Sequence, residues 1–462
     1  MQSLFRVKFD WNLYFLLLIG IKLIWIDLSW YGFIALGISL HQFMLLFYSI
    51  GTALPIRYLA GVLMCVQMLV GPTFAYNGLD QYQHEVYKMK IPEAEYFGYL
   101  IPAMLLFIFG LHVTAGKLKG EIINLPEIKK FIDKSGNLPY FFIAIGFLSS
   151  IISVYFATSL AFVFYLLSSF KFIGVFMLIL GTKQLKTWVL VLVYGSIIAS
   201  SLAEAMFHDL ITWLIMLGAV LAIKYRPSVL VKAGISFGFV ILVVVIQQVK
   251  GEYRKATWSG SGGNLEAFED VLSEGRENNS LFNFESLANS NVRINQGFIV
   301  TNIMNTVPSK VPFADGEELL QILEAAFMPR VLSPNKLRAG DRILFMKYSG
   351  MMIRQGTSMG LSSVGDGYIN FGIIGGSIFM FFWGLVLSEV LNGFNKISKF
   401  YPVLLLFTPM VFYYPIRPDC ELQTSLGHLV KSCMLIGGMF IIWKHNFARV
   451  KRRRKQISIE TE

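Results

Sequence analysis

Apolar stretches about as long as a bilayer crossing recur along nearly the whole chain, and this constrains the fold more than any other feature. A helix needs about 20 mainly apolar residues to cross the hydrocarbon layer. Composition agrees: 55% of the residues are hydrophobic and only 15% are charged, against about 25% charged in soluble domains. Mean hydropathy is +0.58. A soluble core cannot absorb this much apolar sequence. The expectation is an all-α polytopic membrane protein.

Twelve spans are expected, near 11–28, 30–50, 56–75, 95–114, 137–157, 160–181, 187–205, 208–224, 229–248, 368–391, 399–416 and 424–443. If they alternate in direction, the basic connections all fall on one side: Arg6 and Lys8, "KLKGEIINLPEIKKFIDK", "KQLK", "KYRPSVLVK", "NKISK" and the tail "KHNFARVKRRRK". The positive-inside rule makes that side, with both termini, cytoplasmic. The net charge of +11 then reflects segments facing anionic lipid rather than nucleic acid. The N-terminus lacks a small-x-small cleavage site and reads as a first helix. Cys65, Cys420 and Cys433 form no motif and imply no disulfide framework.

Four regions follow: 1–248 with about nine helices, a long extracytoplasmic loop 249–367, three helices in 368–443, and a basic cytoplasmic tail 444–462. Residues 259–292 hold six acids against Arg276. Residues 329–356 hold six bases (Arg330, Lys336, Arg338, Arg342, Lys347, Arg354) against Asp341. Between them, "NVRINQGFIVTNIMNTV" and "GEELLQILEAAFM" show helical spacing of apolar residues.

Arginine is unexpected in an exported loop. Guanidinium forks match phosphate oxygens in two-point contacts, so an anion site is one reading and a solvated face the other. Asp366 stands in "GDG" before an apolar run; it is placed to cap the following helix or to take a proton from an acceptor hydroxyl. Asn370 is placed to orient or cap. "EAMFHD" sets Glu204 and His208 four apart, a spacing that fits a substrate contact, a bland helix end or, as two residues only weakly signal, a metal. "IRPDCE" sets Arg417 and Asp419 between the last two spans, where Arg417 is an interfacial anchor or a phosphate ligand. No P-loop, HExxH, GxSxG or Rossmann fingerprint stands in context, and neither metal nor cofactor is expected.

The order of motifs from Arg293 to Gly376 resembles the bacterial oligosaccharide repeat-unit polymerases, of O-antigen polymerase type in the O-antigen ligase and polymerase superfamily. The parts are "RINQGF" (293–298), "VPSKVPFADG" (307–316), "MPRVLSPNK" (328–336), "GTSMG" (356–360) and "GDGYINFGIIGG" (365–376). The chain departs from the family pattern at Ser333, where an aromatic is expected, and at Asp366, where Glu is commoner. The resemblance implies a fold similar to C-type glycosyltransferases and a metal-independent, lipid-dependent glycosyltransferase. It would polymerise polyprenyl-pyrophosphate-linked oligosaccharides at the outer face of the bacterial cytoplasmic membrane, alongside a flippase and a chain-length regulator. Arg293, Arg330, Lys336, Arg338 and Arg342 would hold pyrophosphate, Asp366 would act as base or orient the acceptor, and Arg417 would line a second lipid site. A ligase of the same superfamily, a transporter or flippase for lipid-linked sugars, and a non-catalytic assembly protein are the alternatives. No internal repeat of the transporter kind is evident.

Overall fold

The computed structural model describes residues 9–115, 123–155, 158–181, 186–257, 265–277, 284–328, 332–333, 335–337, 340–355 and 359–447. Among them there are helices and connections but no strand. The first membrane-region helices are α1 (Trp11–Ile24), α2 (Trp30–Ser49), α3 (Ile56–Tyr82, with π-turns within it) and α4 (Glu93–Val113). Next come α5 (Leu125–Lys134), α6 (Leu138–Ile152), α7 (Ala161–Leu180), α8 (Thr187–Glu204), α9 (His208–Tyr225) and α10 (Val229–Ala256). Five short helices follow: α11 (Leu265–Glu277), α12 (Phe284–Ile294), α13 (Gly297–Thr306), α14 (Glu317–Phe327) and α15 (Arg342–Ser349). The chain returns through α16 (Ser362–Ser398), α17 (Pro402–Val411) and α18 (Leu422–Phe447).

Nine of these helices are long and apolar enough to cross a membrane, or ten if the bent pair α5–α6 forms one span, counted over the described residues. An apolar helix stands at each of the twelve expected positions, but among the described residues nine or ten, not twelve, are long and apolar enough to span. Helix α1 has 14 residues, about 21 Å at 1.5 Å per residue, short of the roughly 30 Å hydrocarbon layer. Helix α17 is shorter still, a 3₁₀ turn opening at Pro402 and a four-residue helix around Pro409. Proline lacks the N–H that a continuous helix requires.

Helices α4 and α16 form the most extensive helix contact among the described residues. Gly110 of α4 lies against the Phe381 carbonyl, and Gly384 of α16 lies against the Phe107 carbonyl, so each helix offers a glycine to the other's backbone. Such close approach is how membrane helices gain packing energy. Near one end of the pair, Arg57 is 1% exposed and donates to the Leu111 carbonyl, to Ser388 Oγ (2.5 Å) and to Asn392 Oδ1 (3.3 Å). Thr114 bonds both Ser388 (2.7 Å) and Asn392 (2.9 Å). This knot satisfies a charge buried among apolar helices, which would otherwise be costly.

The opposite end carries the segment between α10 and α16. Helices α12 and α13 and their junction dock on the middle of α3 and on the connection before α4: Asn291 Nδ2 donates to the Gly71 carbonyl (3.0 Å), Gln296 N to the Gln67 carbonyl (3.1 Å), and Lys90 N to Thr301 Oγ1 (3.2 Å). Tyr99 of α4 donates to the Val364 carbonyl (2.7 Å), fixing the start of α16. Residues 362–371 are helical, so the glycine-rich stretch expected as a loop is a half-helix. Gly372 (φ +65°, ψ −161°) then breaks α16 before its apolar half. Only glycine adopts that backbone readily, and the Phe313 ring lies 3.3 Å from where a Cβ would stand.

Candidate functional site

The polar residues of the half-helix grip two other helices. Asp366 is 2% exposed, and its Oδ2 accepts from Leu422 N (2.7 Å), the first residue of α18. Asn370 Oδ1 accepts from Leu319 N (3.2 Å) in the first turn of α14, and its Nδ2 donates to the Asp366 carbonyl (2.8 Å). First-turn N–H groups have no partner within their own helix, and a side-chain cap contributes about 0.5–2 kcal/mol. The expectation that Asp366 caps its own helix is therefore corrected: its carboxylate caps α18.

That cap seats the turn between α17 and α18. Glu421 Oε1 accepts from Gly340 N (2.5 Å) and from Thr424 Oγ1 (2.9 Å). Gly360 backs onto the same turn; a Cβ there would stand 2.8 Å from Glu421 N. Burial holds the Glu421 carboxyl above its ordinary range, against the pull of the Gly340 and Thr424 donors.

Arg417 stands four residues earlier. Its Nε and Nη2 fork the Asp419 carboxylate (3.3 and 2.8 Å), and its guanidinium lies 5.3 Å from the Tyr414 ring centroid and 6.0 Å from that of Tyr413. Nη1 is buried and has no hydrogen-bond partner among the described residues. Burial works against both charges of the pair. Their mutual attraction nevertheless leaves Asp419 below its ordinary value and Arg417 well above its own.

The structure brings His208 to this cluster. His208 Nε2 lies 2.5 Å from Asp209 Oδ1, and the Tyr413 hydroxyl donates to the same oxygen. Glu204 does not share a face with His208 as expected: α8 ends at Glu204, where Ala205 turns left-handed (φ 52°), and His208 opens α9.

The expected phosphate-binding cations of the long segment fare differently. Arg330 and Arg338 lie outside the described residues, as does the side chain of Arg293, which sits in the last turn of α12. Lys336 donates to the Ala325 (2.9 Å) and Met328 carbonyls, closing the C-terminus of α14. Arg342 Nε donates to the Ile353 carbonyl (2.9 Å). Lys347 pairs with Glu318 (3.1 Å), which also accepts from Tyr348 (2.8 Å). Arg354 is exposed.

Three participants escape the sequence reading: Glu421, Asp209 and Tyr413. Glu421 is visible as the acid just before the last apolar run, and Asp209 as the neighbour of His208. Tyr413 carries no local signal. The connection between α17 and α18 thus carries a cation with one donor unpartnered among the described residues and flanking tyrosines, and, four residues on in sequence, a carboxyl with raised affinity for protons. A guanidinium donor can hold an anion, and such a carboxyl can accept a proton.

No curated protein and no solved structure matches the chain. A family described as a domain of unknown function (DUF8712) matches residues 114–410, which include His208 and Asp366 and stop short of Arg417. The match covers well over half of the sequence, and the chain belongs to the DUF8712 family.

Proposed function

We propose that the protein polymerises polyprenyl-pyrophosphate-linked oligosaccharide repeat units into a surface polysaccharide, working at the loop-bearing end of the bundle on the outer face of a bacterial cytoplasmic membrane. The observation that carries this reading is the buried Arg417 guanidinium, whose Nη1 has no hydrogen-bond partner among the described residues, in the same connection as the Glu421 carboxyl that burial raises. The motif order from Arg293 to Gly376 supports it.

In the proposed step, an acceptor sugar hydroxyl attacks C1 of the sugar carried on the donor lipid pyrophosphate. The bond from C1 to the pyrophosphate oxygen breaks, and its electron pair leaves with that oxygen. Arg417 meets the charge gained there. The hydroxyl proton passes to the Glu421 carboxylate. Asp366 acts as a positioning residue, holding Leu422 and thereby the turn that carries both groups.

Deletion of the gene in its native strain tests the reaction class. The proposal expects single repeat units on the final acceptor and no long chains. Unattached lipid-linked polymer would indicate a ligase instead, and repeat units trapped on the inner leaflet would indicate a flippase.

A pH dependence follows from Glu421. Its carboxyl is held up by burial, so the acid limb of chain extension lies above the usual glutamate value near 4.3. A limb at or below that value contradicts Glu421 as the base. For stability the sign is the reverse. The protonated form is favoured in the fold, so this contribution is present below the ordinary glutamate pKa and is lost as pH rises through the raised folded one.

A further inference from the structure

The end of the bundle opposite the candidate site carries a cleft of about 500 Å³ on α5. Among the described residues Lys129, Lys130 and Lys134 line it together with Arg226, and Asp133 is the one acid. Arg226 comes from the distant connection after α9, so the fold gathers two basic segments into one concave site.

Helix α5 is bent 81° from α6. With α6 running across the bilayer, α5 lies nearly in the membrane plane. Its apolar residues Ile128, Phe131 and Ile132 are buried in the bundle, Ile132 lying where a Cβ on Gly181 would meet it at 2.9 Å. The helix is thus a shelf packed against α7 and α17, with its lysines and Arg226 left at the rim. Trp188 (60% exposed) and Tyr225 (69% exposed) stand at the same end, as aromatic side chains do at headgroup depth. A concave set of four bases at that depth suits a phosphodiester anion delivered from the lipid.

We infer that this cleft binds the phosphate headgroup of an anionic phospholipid. The polysaccharide reading of the other end does not enter the argument.

The test uses the purified full chain in detergent, following its thermal midpoint as phosphatidylglycerol is added. Phosphatidylcholine and inorganic phosphate form parallel arms. Phosphatidylglycerol should raise the midpoint by several degrees, with the other two giving little. In a K129Q/K130Q/K134Q chain, the phosphatidylglycerol concentration giving half of the rise should increase at least ten-fold, the loss expected for several bases near an anionic surface. Arg226→Gly is the second variant. Arg226 holds a left-handed backbone (φ 47°) that glycine adopts without strain, so the change removes the charge and keeps the fold. It should weaken the phosphatidylglycerol response while leaving the lipid-free midpoint unchanged. An unaltered response in both variants, or an equal rise with phosphatidylcholine, overturns the site. An equal rise with inorganic phosphate overturns its assignment to lipid.

Discussion

Under the proposed polymerase activity, Glu421→Gln is expected to lower chain extension by about 10²–10⁴-fold, the usual range for removing a general base, while the amount of folded protein in the membrane stays the same. The fold survives because glutamine keeps the Oε1 acceptor used by Gly340 N and Thr424 Oγ1. What is lost is a carboxylate able to take a proton. Arg417→Ala accompanies it, with a loss of about 10²–10³-fold, as for removing one preorganised donor to a developing anion. The measurement is the initial rate of polymer formation by reconstituted protein supplied with lipid-linked repeat units. Rates within three-fold of the parent for both variants would remove the turn from the chemistry.

Gly384→Leu abolishes accumulation of the folded chain. A Cβ at this position runs into the Phe107 carbonyl and comes within 2.9 Å of Leu111 N, both backbone atoms of α4. No rotamer change relieves a clash with backbone, so α4 and α16 must part. Their separation would strip Arg57 of its partners on both helices, and breaking the partners of a buried charge costs about 3–5 kcal/mol. Gly393 of the same helix has open space where its Cβ would be. Gly393→Leu is therefore the control, and it should give a monodisperse peak of normal height on size exclusion. A normal peak for Gly384→Leu would mean that the α4–α16 contact is not required.

Much of this fold is legible because hydropathy is a local property. Each expected apolar run corresponds to a helix, and the runs from 56 to 82 and from 229 to 256 are longer than their hydropathy suggests. Crossing length is less legible. The 11–28 run ends as a helix at Ile24, and the 399–416 run is broken by Pro402 and Pro409, interruptions that an average over a window hides.

The site is legible only in pieces. His208 and Arg417 stand out as polar residues beside apolar runs, but what joins them is Tyr413 reaching Asp209 across 204 residues of sequence. Asp366 stands out as an acid in a glycine turn. Its partner Leu422 lies 56 residues away, so local spacing assigns the cap to the wrong helix. Lys336 reads as a free cation in a basic run, while in the fold its ammonium is engaged by helix carbonyls.

The central claim is a division of labour: Asp366 holds the turn, and Glu421 with Arg417 acts from it. Asp366→Asn tests this most directly. Asparagine caps helices about as well as aspartate and offers Oδ1 to Leu422 N, but it cannot accept a proton as a base. Rates of chain extension are to be measured for Asp366→Asn and Glu421→Gln side by side at matched protein levels. The account predicts that Asp366→Asn stays within about ten-fold of the parent while Glu421→Gln falls by at least about 10²-fold. The reverse order, with Asp366→Asn inactive and Glu421→Gln near the parent rate, would contradict it.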